Sequence, residues 1–203
     1  MILQMIEIAR IAAVLIFAYL LGSIPTALII SKKINGVDIR TVGDGNMGAR
    51  NTFHEIGPKF GIMVAVIDFC KGALPVFLAY ILGLDLIWQM LTAVLAILGH
   101  DFPIFVGFKG GQGTATSLGT MLPLFPIPTL IGLAIYGMIY LITKRSIISL
   151  GIGGGVTTLI VGFSQQWLLF GYAIIVFLFI PVKLLIDSPR RRAIATAKHT
   201  DFA

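Results

Sequence analysis

Charge is what this chain has least of. Asp, Glu, Lys and Arg make up 12% of its 203 residues, about half the share of a soluble domain, while 57% are hydrophobic. That balance excludes a water-soluble fold, because too little polar surface remains to cover so many apolar side chains. Cysteine is nearly absent: Cys70 stands alone in an apolar run, so no intrachain disulfide can form. His, Cys and acidic residues nowhere gather at metal-ligand spacing, so no metal site and no cofactor are expected. Polar stretches are no longer than loops, which implies one transmembrane domain over residues 1–203 without a soluble appendage. A cleaved leader is not expected either. The first apolar run, from Ile11 past Pro25 to Ile30, is longer than a signal-peptide core and lacks a clearly basic start.

What the chain does have is long apolar runs, at 11–30, 60–83, 86–106, 114–125, 128–143, 146–163 and 166–186. The fourth is too short to cross about 30 Å of hydrocarbon at roughly 1.5 Å per residue. Charge argues for it nonetheless. Lys32, Lys33, Arg40, Arg50 and Lys59 fall in the first loop, Lys109 in the third, Lys144 and Arg145 in the fifth, and Arg190, Arg191 and Arg192 in the tail. The loops near Asp85, Pro126 and Gln165 carry no Lys or Arg. Basic loops stay in the cytoplasm, so the chain must cross twice between Lys109 and Lys144. The expectation is an all-α integral membrane protein with seven transmembrane helices, one short, its N-terminus outside and its C-terminus cytoplasmic. The net charge of +6 then sets topology and draws anionic lipid, and no nucleic-acid partner is expected. Trp88 and Trp167 read as interfacial anchors.

Two loops carry the polar chemistry. The first interleaves Gly43, Gly45 and Gly48 with Asp44, Asn46, Arg50 and Asn51. Glycines let successive N–H groups turn toward one anion, and Arg grips phosphate with two parallel bonds; an ordinary flexible loop is the alternative. The third loop follows Lys109 with Gly110, Gly111, Gln112 and Gly113, then hydroxyl residues that open a helix, where anions are favoured. The G-x-x-x-x-G-K-[ST] order of a nucleotide loop is missing. Two such loops on one membrane face suggest a phosphorylated ligand met where lipid begins.

"GSIP" at Gly22–Pro25 breaks the first span, and Ser23 offers a replacement donor for the bond Pro25 removes. Asp68 and Lys71, three residues apart on one helix face, fall one to two turns into the second span and form either a structural ion pair or a site-lining pair. His100 closes the third span.

The blocks "GSIP" with Lys32, "GDGNMGARN", "DFCKG", "GHDFPIFVGFKGGQGTAT" and "KRSIISL", in this order, resemble the bacterial acyl-phosphate:glycerol-3-phosphate acyltransferase family over nearly the whole chain. The resemblance implies a bacterial cytoplasmic-membrane enzyme that moves a fatty acyl group from acyl phosphate to the 1-hydroxyl of glycerol 3-phosphate. Lysophosphatidic acid and phosphate would be the products, in the first acylation of phospholipid synthesis, without metal or acyl-CoA. Its partners would be acyl phosphate, a phosphorylated polyol and membrane lipids. The implied catalytic set is Asp44, Lys109 and His100. Ser23, Gly43, Gly45, Asn46, Arg50 and Asn51 would bind substrate from the first half of the chain. Gly110, Gly111, Gln112, Gly113, Arg145 and Ser149 would do so from the second. The chain departs from the family pattern at Asp44 (usually serine), Arg50 (threonine) and Gln112 (lysine), and its tail lacks a His-x-x-Asn element. Two other readings remain: a diverged member that binds lipid or phosphate without acyl transfer, and a transporter of a small phosphate compound.

Overall fold

The computed structural model describes the backbone of residues 1–200 and the side chains of residues 1–189; the side chains of Arg190, Arg191 and Arg192 lie outside that range. The described residues form nine α-helices and no strand. They are α1 (Ile2–Gly22), α2 (Thr26–Asn35), α3 (Ala49–Glu55), α4 (Pro58–Ile81), α5 (Leu86–Asp101), α6 (Thr114–Leu124), α7 (Pro126–Thr143), α8 (Ser146–Phe163) and α9 (Trp167–Thr200). Six segments are long and apolar enough to cross a membrane, taking α1 with α2 as one. The short run expected at 114–125 is the 11-residue α6, about 16 Å long at 1.5 Å per residue. α1 starts well before Ile11, because Glu7 and Arg10 pair across one turn and carry the helix back to Ile2.

The breaks follow from local chemistry. Pro25 has no N–H to continue α1, and α2 ends at Gly36 in the left-handed region, φ 67°. Pro58 and Pro126 each occupy the first turn of a helix, where the missing N–H costs nothing. Close helix crossings rest on small residues. A Cβ on Gly72 would run into the Thr116 carbonyl, and one on Gly119 into that of Phe69, so α4 and α6 meet backbone to backbone. Gly22 and Gly99 do the same for α1 and α5.

Away from the loops, Val76, Met90, Ile97, Phe125, Tyr172 and Val176 form an apolar core among α4, α5, α6 and α9. α7 buries only Thr129 and Gly132 and packs chiefly on α8, so most of its surface is left for lipid. A second core, built on Leu28, Ile39, Met47 and Val64, lies under the first loop.

Candidate functional site

Polar side chains concentrate where α1 and α5 end and α6 begins, joined by others from within α4 and α9. Beyond Gly22 the Ile24 carbonyl accepts from Thr26 N–H at 2.9 Å and also from Lys71 of α4, whose Nζ donates to it at 3.0 Å while standing 2.9 Å from Asp68 Oδ1. The Nδ1 of His100 is 3.8 Å from the same carboxylate oxygen. All three side chains are buried. The carbonyl that Pro25 leaves without its helical donor is that of Leu21, and Ile24 N–H, not the Ser23 hydroxyl, takes it up at 3.3 Å. Ser23 uses its N–H on Tyr19 O, still inside the last turn of α1, and its buried hydroxyl has no hydrogen-bond partner. Asp68 and Lys71 also sit deeper than expected. α4 starts at Pro58, which puts Asp68 about three turns into the helix.

The third loop folds back on the end of α5. Gly110 N–H donates to Asp101 O and Gly111 N–H to His100 O, each at 3.2 Å. These two amides hold the loop, which corrects the reading of them as anion donors. Gly111 lies against His100 Nε2 and the Met47 carbonyl, leaving no room for a Cβ, so both glycine loops meet at His100. Gly113, at φ 64°, faces the Asp101 carboxylate. The start of α6, expected to attract a ligand anion, therefore already has a protein carboxyl group beside it. Asp101 is fully buried, and neither carboxylate oxygen has a hydrogen-bond partner; the Thr116 and Ser117 hydroxyls of α6 are likewise buried and unpartnered. From α9, Lys183 donates to both oxygens of Asp187 at 2.8 Å and stands 4.9 Å from the centre of the Phe102 ring.

The first loop is a folded unit rather than a flexible one. The Asn51 amide donates to the carbonyls of Ile39, Val42 and Asn46 and accepts from Asp44 N–H. Gly43, φ 62°, presses on Asn51 Oδ1. Asp44 Oδ1 accepts from Asn46 N–H and so closes the turn, while Gly45 N–H is spent on Val42 O. Asn51 thus acts inside the loop. Asn46 is buried with its Oδ1 unpartnered. At the loop's start Asp38 takes a two-point bond from Arg40, at 3.0 and 2.7 Å. The guanidinium holds the Asp38 carboxyl below its usual range, and Asp38 holds Arg40 above its own.

Three cations expected at the site are placed differently. Arg50, Lys109 and Arg145 are exposed and make no side-chain hydrogen bond or ion pair among the described residues. Gln112 is half-buried. Ser149 is buried and its hydroxyl is bonded to Arg145 O, with no hydrogen bond linking either residue to the cluster at His100. Sequence reasoning missed Asp101, Thr116, Ser117, Lys183 and Asp187. The signal for the acids and Lys183 was present: each is an ionisable residue inside an apolar helix, the property that singled out Asp68.

Comparison with known proteins gives a consistent result. The family model for glycerol-3-phosphate acyltransferase matches residues 12–191. The glycerol-3-phosphate acyltransferase of Endomicrobium trichonymphae is 41% identical over 165 residues, covering 79% of this chain and 82% of that protein. The enzyme of Anaeromyxobacter dehalogenans is 39% identical over 177 residues, covering 82% and 88%. The crystal structure of the integral membrane glycerol 3-phosphate acyltransferase PlsY (YgiH) in its glycerol 3-phosphate form superposes with a TM-score of 0.81 at 32% identity, covering 89% of this chain and 91% of that one. A lysophosphatidic acid form of PlsY superposes with a TM-score of 0.78.

Proposed function

The chain belongs to the glycerol-3-phosphate acyltransferase family, and from that premise we propose that it is a multi-pass membrane enzyme that acylates glycerol 3-phosphate from acyl phosphate. The observation that carries this reading is the meeting of two glycine loops at His100, at the end of the apolar helix α5. Both substrates are anions with phosphate, and one carries a long apolar tail. Exposed Lys109, Arg50 and Arg145 suit the phosphates by charge-assisted bonds, and lipid-facing helices suit the tail. The acceptor hydroxyl oxygen attacks the acyl carbonyl carbon, the bond to the phosphate oxygen breaks, and inorganic phosphate leaves. Acyl phosphate is already activated, so alignment and charge stabilisation suffice without a covalent enzyme intermediate. In this scheme Lys109 holds the departing phosphate. Asp44 or His100 receives the hydroxyl proton; Asp44 Oδ1 accepts from Asn46 N–H, which fixes the carboxylate in the loop.

The topology that goes with this is seven crossings, N-terminus outside and C-terminus cytoplasmic. α6 serves as a short crossing packed along α4. Supporting it, the basic residues Lys33, Lys59, Lys109 and Arg145 all lie at the helix ends that an alternating path puts on one side. Purified protein incubated with palmitoyl phosphate and glycerol 3-phosphate should release phosphate and form lysophosphatidic acid. Phosphate release without a lipid product, or product with another polyol alone, would replace the proposed acceptor.

A further inference from the structure

Lys183 is the largest side chain that the described residues bury completely. It comes from α9, a helix that held no candidate site residue at the level of sequence. A buried ion pair is a poor stabiliser, since desolvation offsets its attraction and apolar residues of like volume often do as well. The surroundings of Lys183 give it another task. Its ammonium, fixed by Asp187, stands over the ring of Phe102, the first residue beyond α5. The Phe102 carbonyl accepts from the Tyr19 hydroxyl at 2.9 Å, so α1 and α9 hold the same residue from two sides. From the two residues before it hang Gly110 and Gly111, and with them Lys109.

We propose that Lys183, held by Asp187, is a positioning residue for acyl transfer. It fixes the end of α5 through the Phe102 ring, and so fixes the Gly110–Gly111 strap that presents Lys109. This rests on the acyl-transfer reading above. The test uses full-length protein in detergent and two readouts: steady-state acyl transfer, and hydrogen–deuterium exchange of the peptide spanning 99–113. Lys183→Met should lower kcat about ten- to a hundredfold, the scale of a small misplacement of catalytic groups, with KM changed less than roughly threefold, and should speed exchange in the strap. Lys183→Arg, which keeps a cation over the ring, should restore most of both. The exchange of partners, Lys183→Asp with Asp187→Lys, rebuilds the pair but takes the cation off the Phe102 ring, and should remain slow. Recovery of both readouts in that exchanged variant would make the pair a simple staple of α9 and overturn the proposal, as would normal behaviour of Lys183→Met. Should Lys183→Met not fold, Phe102→Leu removes the ring alone and must loosen the strap. If wild-type protein transfers no acyl group, the functional reading falls, while the exchange arm still decides the positioning.

Discussion

Lys71 and Lys183 are buried, and each lies against a carboxylate on its own helix, at 2.9 Å from Asp68 and 2.8 Å from Asp187. Lys109 and Arg145 are exposed and pair with nothing among the described residues. The contrast separates two uses of positive charge in a chain that has little of it. A buried ammonium must bring its counter-charge with it, because an uncompensated ion away from water is costly. An exposed one is stable alone and keeps its capacity for a ligand. By this rule the buried lysines set geometry and the exposed cations recognise anions.

The comparison breaks most sharply at Lys71. Lys71→Met would strand the Asp68 carboxylate, and should destabilise the protein by about 3–5 kcal/mol, the cost of removing one partner of a buried pair. Thermal unfolding in detergent checks it. Lys71→Met/Asp68→Leu should recover part of the loss. If the double variant is no more stable than the single one, the ion pair is not what Lys71 contributes.

Lys109→Ala should behave in the opposite way. Its unfolding midpoint should match wild type, while apparent substrate affinity drops by roughly ten- to more than a hundredfold, equivalent to about 1.5–3 kcal/mol for a bond to a charged group. Arg145→Ala should follow the same pattern. Normal binding in either variant would reduce that residue to a signal for topology.

A smaller effect is expected where the chain departs from its family's pattern. If Arg50 has taken over the phosphate that a lysine at position 112 would hold, Arg50→Thr should weaken substrate binding and Gln112→Lys should restore most of it. Arg50 is exposed and Gln112 half-buried, so both changes should leave stability within about 0.5 kcal/mol. Strictly additive effects on binding would show that the two positions do not share a ligand.

Much of this was legible along the chain, and the parts that were not share a cause. Helix breaks at Pro25, Pro58 and Pro126 are local properties of proline. The Asp68–Lys71 pairing follows from helical spacing on one element. Tertiary contact decided the rest. The amides of Gly110 and Gly111 looked available to an anion, and only the return of the loop onto α5 shows them spent on His100 and Asp101. Asn51 looked like a ligand, yet its amide ties three carbonyls of its own loop. Lys183 and Asp187 have the spacing of a helical pair, but their meaning depends on Phe102, eighty residues away in sequence and beneath them in space.

The smallest effect belongs to a pair between the two extremes. Asp38 and Arg40 are partly exposed, with side-chain exposures of 24% and 32%, and lie in the first loop rather than in a span. Asp38 also caps the turn at Ile39–Thr41 by accepting from Arg40 N–H. Its carboxyl is held below the usual carboxylate range by the Arg40 guanidinium, so the folded protein binds fewer protons there than the unfolded chain, and stability rises with pH through that window. The contribution is complete above the unfolded value and fades as pH falls through the lower folded one. Arg40, held above its ordinary value, stays charged throughout. Asp38→Asn keeps an oxygen for the cap and removes only the charge. It should cost about 0.5 kcal/mol near neutral pH, the scale of a solvent-screened pair, or about 1–2 °C in unfolding midpoint. At pH below the lowered folded value the variant and wild type should converge. A deficit of equal size at both pH values would mean that the substitution disturbs the turn itself, and the pair would then belong with the buried lysines, as structure rather than screened charge.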